Sequence, residues 1–150
     1  LRLALGTLDT FRTTVAAAAI GMGQAAYEAS LDFAKNRKMF GQNLSDFQAT
    51  QFKLADMAVS LDAARLLAHR AAWLKDSGQE SIIKEASFAK LFGTEAASRI
   101  INEAVQIHGG AGLERGNRVE RLYREVRALT IYEGTSEIQR QTIARQLLRE

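Results

Sequence analysis

Apolar positions along this chain recur at steps of three and four over long stretches, the period of α-helices packed on one side. Across residues 8–36 the stripe is Val15, Ala18, Ala19, Met22, Ala25, Ala26, Ala29 and Phe33, and its small side chains permit close helix–helix approach. Residues 37–46 break the period with Gly41, Asn43 and Ser45 and read as a loop. Ser45 and Gln48 have the spacing of a capping box, so a second helix is expected over residues 46–76, burying Phe47, Phe52, Ala55, Val59, Leu66 and Trp73. Gly78 suits the positive-φ residue that closes a helix. A third helix is expected over residues 81–108, with Ile83, Phe88, Leu91, Phe92, Ala96, Ile100, Ala104 and Ile107 facing inward, stopped by Gly109-Gly110-Ala111-Gly112. Asn117 is an N-cap for a short charged helix over 118–126. Residues 128–132 read as a brief extended piece, and the last helix starts near Ser136 with a second capping-box spacing to Gln139. The pattern predicts an all-α fold: an antiparallel four-helix bundle of long helices with a short extra helix before the last, in one domain.

Composition sharpens this picture by exclusion. The 150 residues include no proline and no cysteine, with 47% hydrophobic and 25% charged residues. The missing proline agrees with long uninterrupted helices, since proline removes a backbone donor and clashes with the preceding turn. Without cysteine there is no disulfide framework and no thiolate metal site. The net charge of +3 is spread over scattered residues, with no basic run interleaved with aromatics, so nucleic acid is not an expected partner. The Ala-rich run at 15–20 is far shorter than the roughly 20 residues of a membrane span. A start at Leu1, with neither a signal nor a transit pattern, reads as the cut end of a longer chain, and the expected setting is soluble and cytoplasmic.

Candidate chemistry is sparse. Neither His69 nor His108 has a Glu three residues earlier, and no histidine pair sits at i, i+4, so no metal site is expected and both read as surface or packing residues. The glycine cluster at 109–112 follows a helix instead of a strand, which removes the dinucleotide-fold context. It serves either as a helix stop or as bare backbone that another chain or ligand approaches closely. Glu133, in Ile131-Tyr132-Glu133-Gly134-Thr135-Ser136, is the most interesting carboxylate. Either it is a loop-borne general base in apolar surroundings, or it and Glu137 merely complement a helix N-terminus. Arg37 beside Phe40 holds a phosphate and stacks on a ring, or is a solvated cation beside an anchoring aromatic.

Taken in order, four segments resemble the C-terminal helical domain of the acyl-CoA dehydrogenase family, its short/branched- and medium-chain-like members most. Asn36-Arg37-Lys38-Met39-Phe40-Gly41 is similar to the family's Arg-x-x-Phe-Gly loop, and Gln48 in Phe47-Gln48-Ala49-Thr50-Gln51 to its helix-opening Gln. Val105-Gln106-Ile107-His108-Gly109-Gly110-Ala111-Gly112 resembles the Gln-Ile-x-Gly-Gly-x-Gly signature, and the segment from Ile131 to Arg140 resembles the catalytic segment. The match covers essentially the whole chain.

The resemblance implies an FAD-dependent α,β-dehydrogenation of an acyl-CoA thioester. Glu133 would remove the pro-R α-proton while a β-hydride passes to flavin N5. The Glu133 N–H and a flavin ribityl hydroxyl would bind the thioester carbonyl, and Gly134 would leave room for it. Arg37, Phe40, Gln48, Gln106, Gly109 and Gly110 would reach the FAD of a neighbouring subunit, with Thr135 and Glu137 near FAD at the catalytic segment. Asp9 and Arg12 match the family's Asp-x-x-Arg, which lines the acyl-CoA site. Some relatives place their base directly before that Arg; Phe11 stands there in this chain, which leaves Glu133 alone in the role. Leu113 replaces an aromatic common among relatives. The resemblance further implies a homo-oligomer (dimer or tetramer), electron-transferring flavoprotein as acceptor, an N-terminal helical and a middle β-domain that this chain lacks, and no activity for the 150 residues alone. Two alternatives remain: an acyl-CoA or acyl-carrier-protein oxidase on the same scaffold, and a non-catalytic helical oligomerisation module.

Overall fold

The computed structural model describes residues 2–149, with side-chain surroundings from residue 7 onward. It is an all-α bundle of α1 (Arg2–Asn36), α2 (Gln48–Asp76), α3 (Ile83–His108) and α5 (Ser136–Leu147), with the short α4 (Arg118–Val126) before the last. The only sheet among the described residues is a two-residue antiparallel hairpin, β1 (Lys38–Met39) and β2 (Gln42–Asn43), in the α1–α2 loop. α3 is the central helix and packs against each of the other four. It is the most thoroughly buried element: Ala86, Ala89, Gly93, Thr94, Ala97, Ile101 and Ala104 sit in the interior. Small residues on both α1 and α3 let the backbones approach, and Ala16 meets Gly93 directly. Burial of such a face at about 25 cal/mol per Å² is the main force holding the bundle together.

The α1 stripe is as expected, with Ala18 exposed as its single outward member. On α2 the buried face is different from the one expected. Thr50, Met57, Leu61, Ala64, Ala68 and Ala71 are inside, whereas Ala55 is exposed and Phe52, Val59, Leu66 and Trp73 are 60–70% exposed. The reason is steric: α2 packs against α1 and α3 through small and medium side chains, and its bulky stripe points the other way.

Three local expectations are corrected. Phe47, with no side-chain cap, precedes α2; the reciprocal box lies earlier, where the Asn43 N–H donates to Asp46 Oδ2 at 3.0 Å around a 3-10 turn, Leu44–Asp46. Residues Arg127–Thr130 form a 3-10 turn in place of an extended piece, because Leu129 and Thr130 are drawn into the interior. The N-cap of α5 is Thr135, whose hydroxyl accepts from the Ile138 N–H at 3.4 Å, so Ser136 does not cap and Gln139 is released for another task. Asn117 caps α4 as expected, accepting from the Val119 N–H at 3.0 Å and donating to the Ala111 carbonyl at 2.8 Å.

Candidate active site

The turn between Thr130 and α5 is one of two among the described residues where a non-glycine residue takes a positive φ just before a glycine that does the same; the other is Phe40-Gly41 in the β1–β2 hairpin. Ile131 and Tyr132 donate to the Ala128 carbonyl at 3.0 and 3.1 Å, and the chain then reverses through Glu133 (φ +54°) and Gly134 (φ +89°). A non-glycine residue in the left-handed region is uncommon and persists when its surroundings over-determine it. Here two fully buried side chains do so. Gln139 Nε2 donates to the Glu133 carbonyl at 3.0 Å and to the Gly134 carbonyl at 3.1 Å, while Lys90 Nζ, from α3, donates to the Gly134 carbonyl at 2.7 Å. A Cβ at position 134 would lie 2.8 Å from Gln139 Nε2, so packing and backbone angle both call for glycine.

The two acidic residues differ in their surroundings. Glu137 is exposed in the first turn of α5; its own backbone amide, then the Thr135 hydroxyl, hold its carboxyl below the ordinary range. That is the helix-terminus role. Glu133 lies outside the first turn and is half-buried, and its Oε2 is shut off from solvent with no donor among the described residues. A buried carboxylate oxygen without a donor calls for an explanation, and proton transfer is one.

Lys90 faces Arg12 from α1, Glu133, Glu137 and Glu95. Burial pushes its ammonium below the usual lysine range, Arg12 adds to this, and the three carboxylates oppose it. Asp9 is buried, with Oδ1 3.3 Å from Arg12 Nη1; burial raises its carboxyl above the ordinary range against the pull of Arg12 and Lys75. Arg12 Nε is buried without an acceptor among the described residues. Asp9 and Arg12 also line a cleft of about 250 Å³ with Ile83, Thr142 and Arg145. Thr135 and Glu137 line another of about 480 Å³ with Glu95, Arg99, Arg127 and Thr130. Phe11 is half-exposed and carries no titratable group.

The remaining predicted residues gather at the opposite end of α3. From Lys90 to His108 the helix rises roughly 27 Å at 1.5 Å per residue. There Arg37, Gln106, Gly109 and Gly110 line a cleft of about 670 Å³ with Phe33, Thr50 and Lys53. His108 is a packing residue: its ring stacks on Phe33 at 4.4 Å, and Nδ1 lies 2.7 Å from the Ala104 carbonyl. Gly109 (φ +57°) ends α3, and a Cβ on Gly109 or Gly110 would meet open space, unlike Gly112, where it would sit 2.8 Å from the Val105 carbonyl. The cluster therefore divides into a packing glycine and two that offer bare backbone outward. Phe40 and Gln48 lie outside the lining; Phe40 is 91% exposed at φ +50° with its ring edge-on to Phe47 at 6.5 Å, and Gln48 opens α2 on the surface. Among the described residues no cluster of three or more His, Asp or Glu could hold a metal, and no helix is long and apolar enough to cross a membrane.

Sequence reasoning passed over Lys90 and read Gln139 only as a capping partner. The available signal was a lysine within a face of small residues, Ala86, Ala89, Gly93, Thr94 and Ala97, where a solvated cation has no place.

Fold and site together define an all-α domain that presents a carboxylate from a strained loop. Residues 1–148 match the family "Acyl-CoA dehydrogenase, C-terminal domain", and the chain belongs to that family. The chain is 55% identical over 145 residues to the probable acyl-CoA dehydrogenase YngJ of Bacillus subtilis (strain 168), covering 97% of this chain and 38% of that protein. It is 46% identical over 147 residues to the caffeyl-CoA reductase-Etf complex subunit CarC of Acetobacterium woodii, covering 98% of this chain and 38% of that protein. The butyryl-CoA dehydrogenase structure from Megasphaera elsdenii superposes with a TM-score of 0.96 at 40% identity, covering 99% of this chain and 38% of that one. The chain thus spans less than two-fifths of the length of these relatives.

Proposed function

We propose that this domain supplies the general base of an FAD-dependent acyl-CoA dehydrogenase, with Glu133 taking the α-proton of the thioester. The observation that carries this reading is the Glu133 carboxylate: one oxygen is buried without a donor, on a left-handed turn held by two buried side chains. Such an oxygen is poised to accept a proton without first shedding water. The Glu133 N–H serves as a donor to the thioester carbonyl as enolate character develops. Asp9 and Arg12 bind the acyl-CoA.

Bound FAD would supply the hydride acceptor for the β-carbon, and loss of the α-proton to Glu133 with that hydride would leave the α,β-unsaturated thioester. The residues fit such a group at two places. Arg37, Gln106 and the outward backbone of Gly109 and Gly110 suit an anionic pyrophosphate and its adenosine; the family resemblance adds Phe40 and Gln48, which lie outside that cleft. Thr135 and Glu137, which line the cleft beside Glu95 and Arg99, would contact FAD near the catalytic segment. The two sets line separate clefts, one at Gln106 to Gly110 and one beside Glu95, Ser98 and Arg99, and we assign them to FAD molecules of different subunits. The heptad-spaced ridge Phe52, Val59, Leu66 and Trp73 favours a homo-oligomer, since such a stripe is what an interhelical seam requires. The relative named as part of an Etf complex favours electron-transferring flavoprotein as acceptor. The whole protein is then a cytoplasmic enzyme with the 150 residues as its C-terminal domain, inactive by themselves.

The test is Glu133→Gln in the full-length protein. Retained FAD with no bleaching of the flavin on adding acyl-CoA is expected; bleaching at the wild-type rate contradicts the assignment.

A further inference from the structure

We propose that Lys90 is a positioning residue for this reaction, holding the Glu133–Gly134 turn so that the carboxylate stays turned into the site. The inference rests on the acyl-CoA dehydrogenase reading of Glu133. Lys90 is fully buried in the N-terminal half of α3, and among the described residues its one hydrogen-bond partner is the Gly134 carbonyl, not a carboxylate. A structural ion pair would match the ammonium to an anion; this ammonium is spent on a backbone oxygen next to the candidate base.

The arrangement is over-built for a simple loop anchor. Gln139, also fully buried, already donates to that same carbonyl at 3.1 Å and to the preceding one at 3.0 Å. Two buried donors therefore converge on consecutive carbonyls of a turn whose first residue holds φ +54°. Because each peptide is planar and trans, fixing the Glu133 and Gly134 carbonyls also fixes the Gly134 and Thr135 N–H groups on the opposite side. The cation does a second thing that Gln139 cannot: it sets a positive charge close to Glu133. The groups facing it are Arg12 on α1, Glu133 itself, Glu137 on α5 and Glu95 on its own helix. Burial and Arg12 act against that charge and the three carboxylates favour it.

The experiment uses the full-length, FAD-loaded enzyme with Lys90→Met, which keeps the volume of the side chain and discards its charge and donors. Replacing a buried charge by a packed apolar residue is often neutral or stabilising, and Gln139 still serves the Gly134 carbonyl. The expected result is an unchanged or raised melting temperature with FAD retained. Alongside it, kcat falls by about tenfold or more and KM changes less than kcat. A Lys90→Gln enzyme carries the same test if the methionine variant does not fold. Wild-type kcat in a folded variant, KM and kcat changing equally, or a loss of kcat only in proportion to lost folded protein, overturns the assignment. A Glu133→Gln enzyme as active as wild type brings down the dehydrogenase reading and this assignment together. A normal Lys90→Met enzyme beside a dead Glu133→Gln enzyme brings down this assignment alone.

Discussion

At Glu133 a short stretch of backbone carries both strain and chemistry. A left-handed non-glycine residue costs on the order of 1–3 kcal/mol, which the buried clamp of Lys90 and Gln139 must offset. The clamp predicts that Gly134→Ala disturbs turnover before it disturbs the fold. Its Cβ would meet Gln139 Nε2 at 2.8 Å and its φ of +89° is unfavourable for alanine by roughly 1–2 kcal/mol. Thermal melts and steady-state kinetics of the full-length variant should show a small loss of stability and a larger loss of kcat; equal losses would count against the clamp. Lys90 makes a pH prediction at the same scale. Its ammonium lies below the unfolded value of 10.5 because of burial, so the unfolded chain holds more protons in the interval between the folded and unfolded values. Stability therefore rises with pH across that interval, and Lys90→Met should flatten the rise in urea titrations made from neutral to alkaline pH.

At the scale of elements, α3 binds the bundle together and α4 depends on a single cap. Asn117 ties the α4 N-terminus to the preceding turn through two hydrogen bonds, at 3.0 and 2.8 Å. Asn117→Ala should cost about 1 kcal/mol, read as a shift in the denaturation midpoint with unchanged slope. Helix existence was largely legible in the chain because the 3.6-residue period is strong and proline is absent. The buried face of α2 was not. Phe52, Val59, Leu66 and Trp73 look like core by size, yet Ala64, Ala68 and Ala71 are the residues that let α2 close on its neighbours. Size marks what wants to be buried, not which of two partners buries it. Likewise residues 128–132 read as extended from their side chains, whereas the burial of Leu129 and Thr130 winds them into a 3-10 turn. At the site, the segment carrying Glu133 was legible through its motif, but the burial of its Oε2 without a donor was not, because it depends on how the turn is folded. Lys90 stayed hidden because a lysine in sequence reads as solvent.

The whole molecule presents surfaces that this chain alone does not cover. If the outward stripe of α2 is an interhelical seam, Leu66→Asp in the full-length protein should reduce the oligomer to smaller species while leaving helicity by circular dichroism intact. Light scattering of the purified protein checks this; an unchanged mass would place the stripe against something other than a second copy. The α3 C-terminal end should respond separately. Gly110→Ala adds a methyl into open space and should weaken FAD retention without lowering the stability of the domain, whereas Gly112→Ala drives a Cβ to within 2.8 Å of the Val105 carbonyl and should destabilise it. The acyl-CoA dehydrogenase family membership of the chain frames these expectations. The proposed role of Glu133 is removal of the substrate α-proton. The most direct measurement is the rate of flavin reduction by protiated and α,α-dideuterated acyl-CoA in the full-length wild type and Glu133→Asp enzymes. Wild type should show a primary isotope effect. The aspartate variant, withdrawn by one methylene, should keep its FAD, react about 10²-fold more slowly and retain an isotope effect at least as large. Equal rates in the two enzymes, or a wild type indifferent to α-deuteration with chemistry rate-limiting, would contradict it.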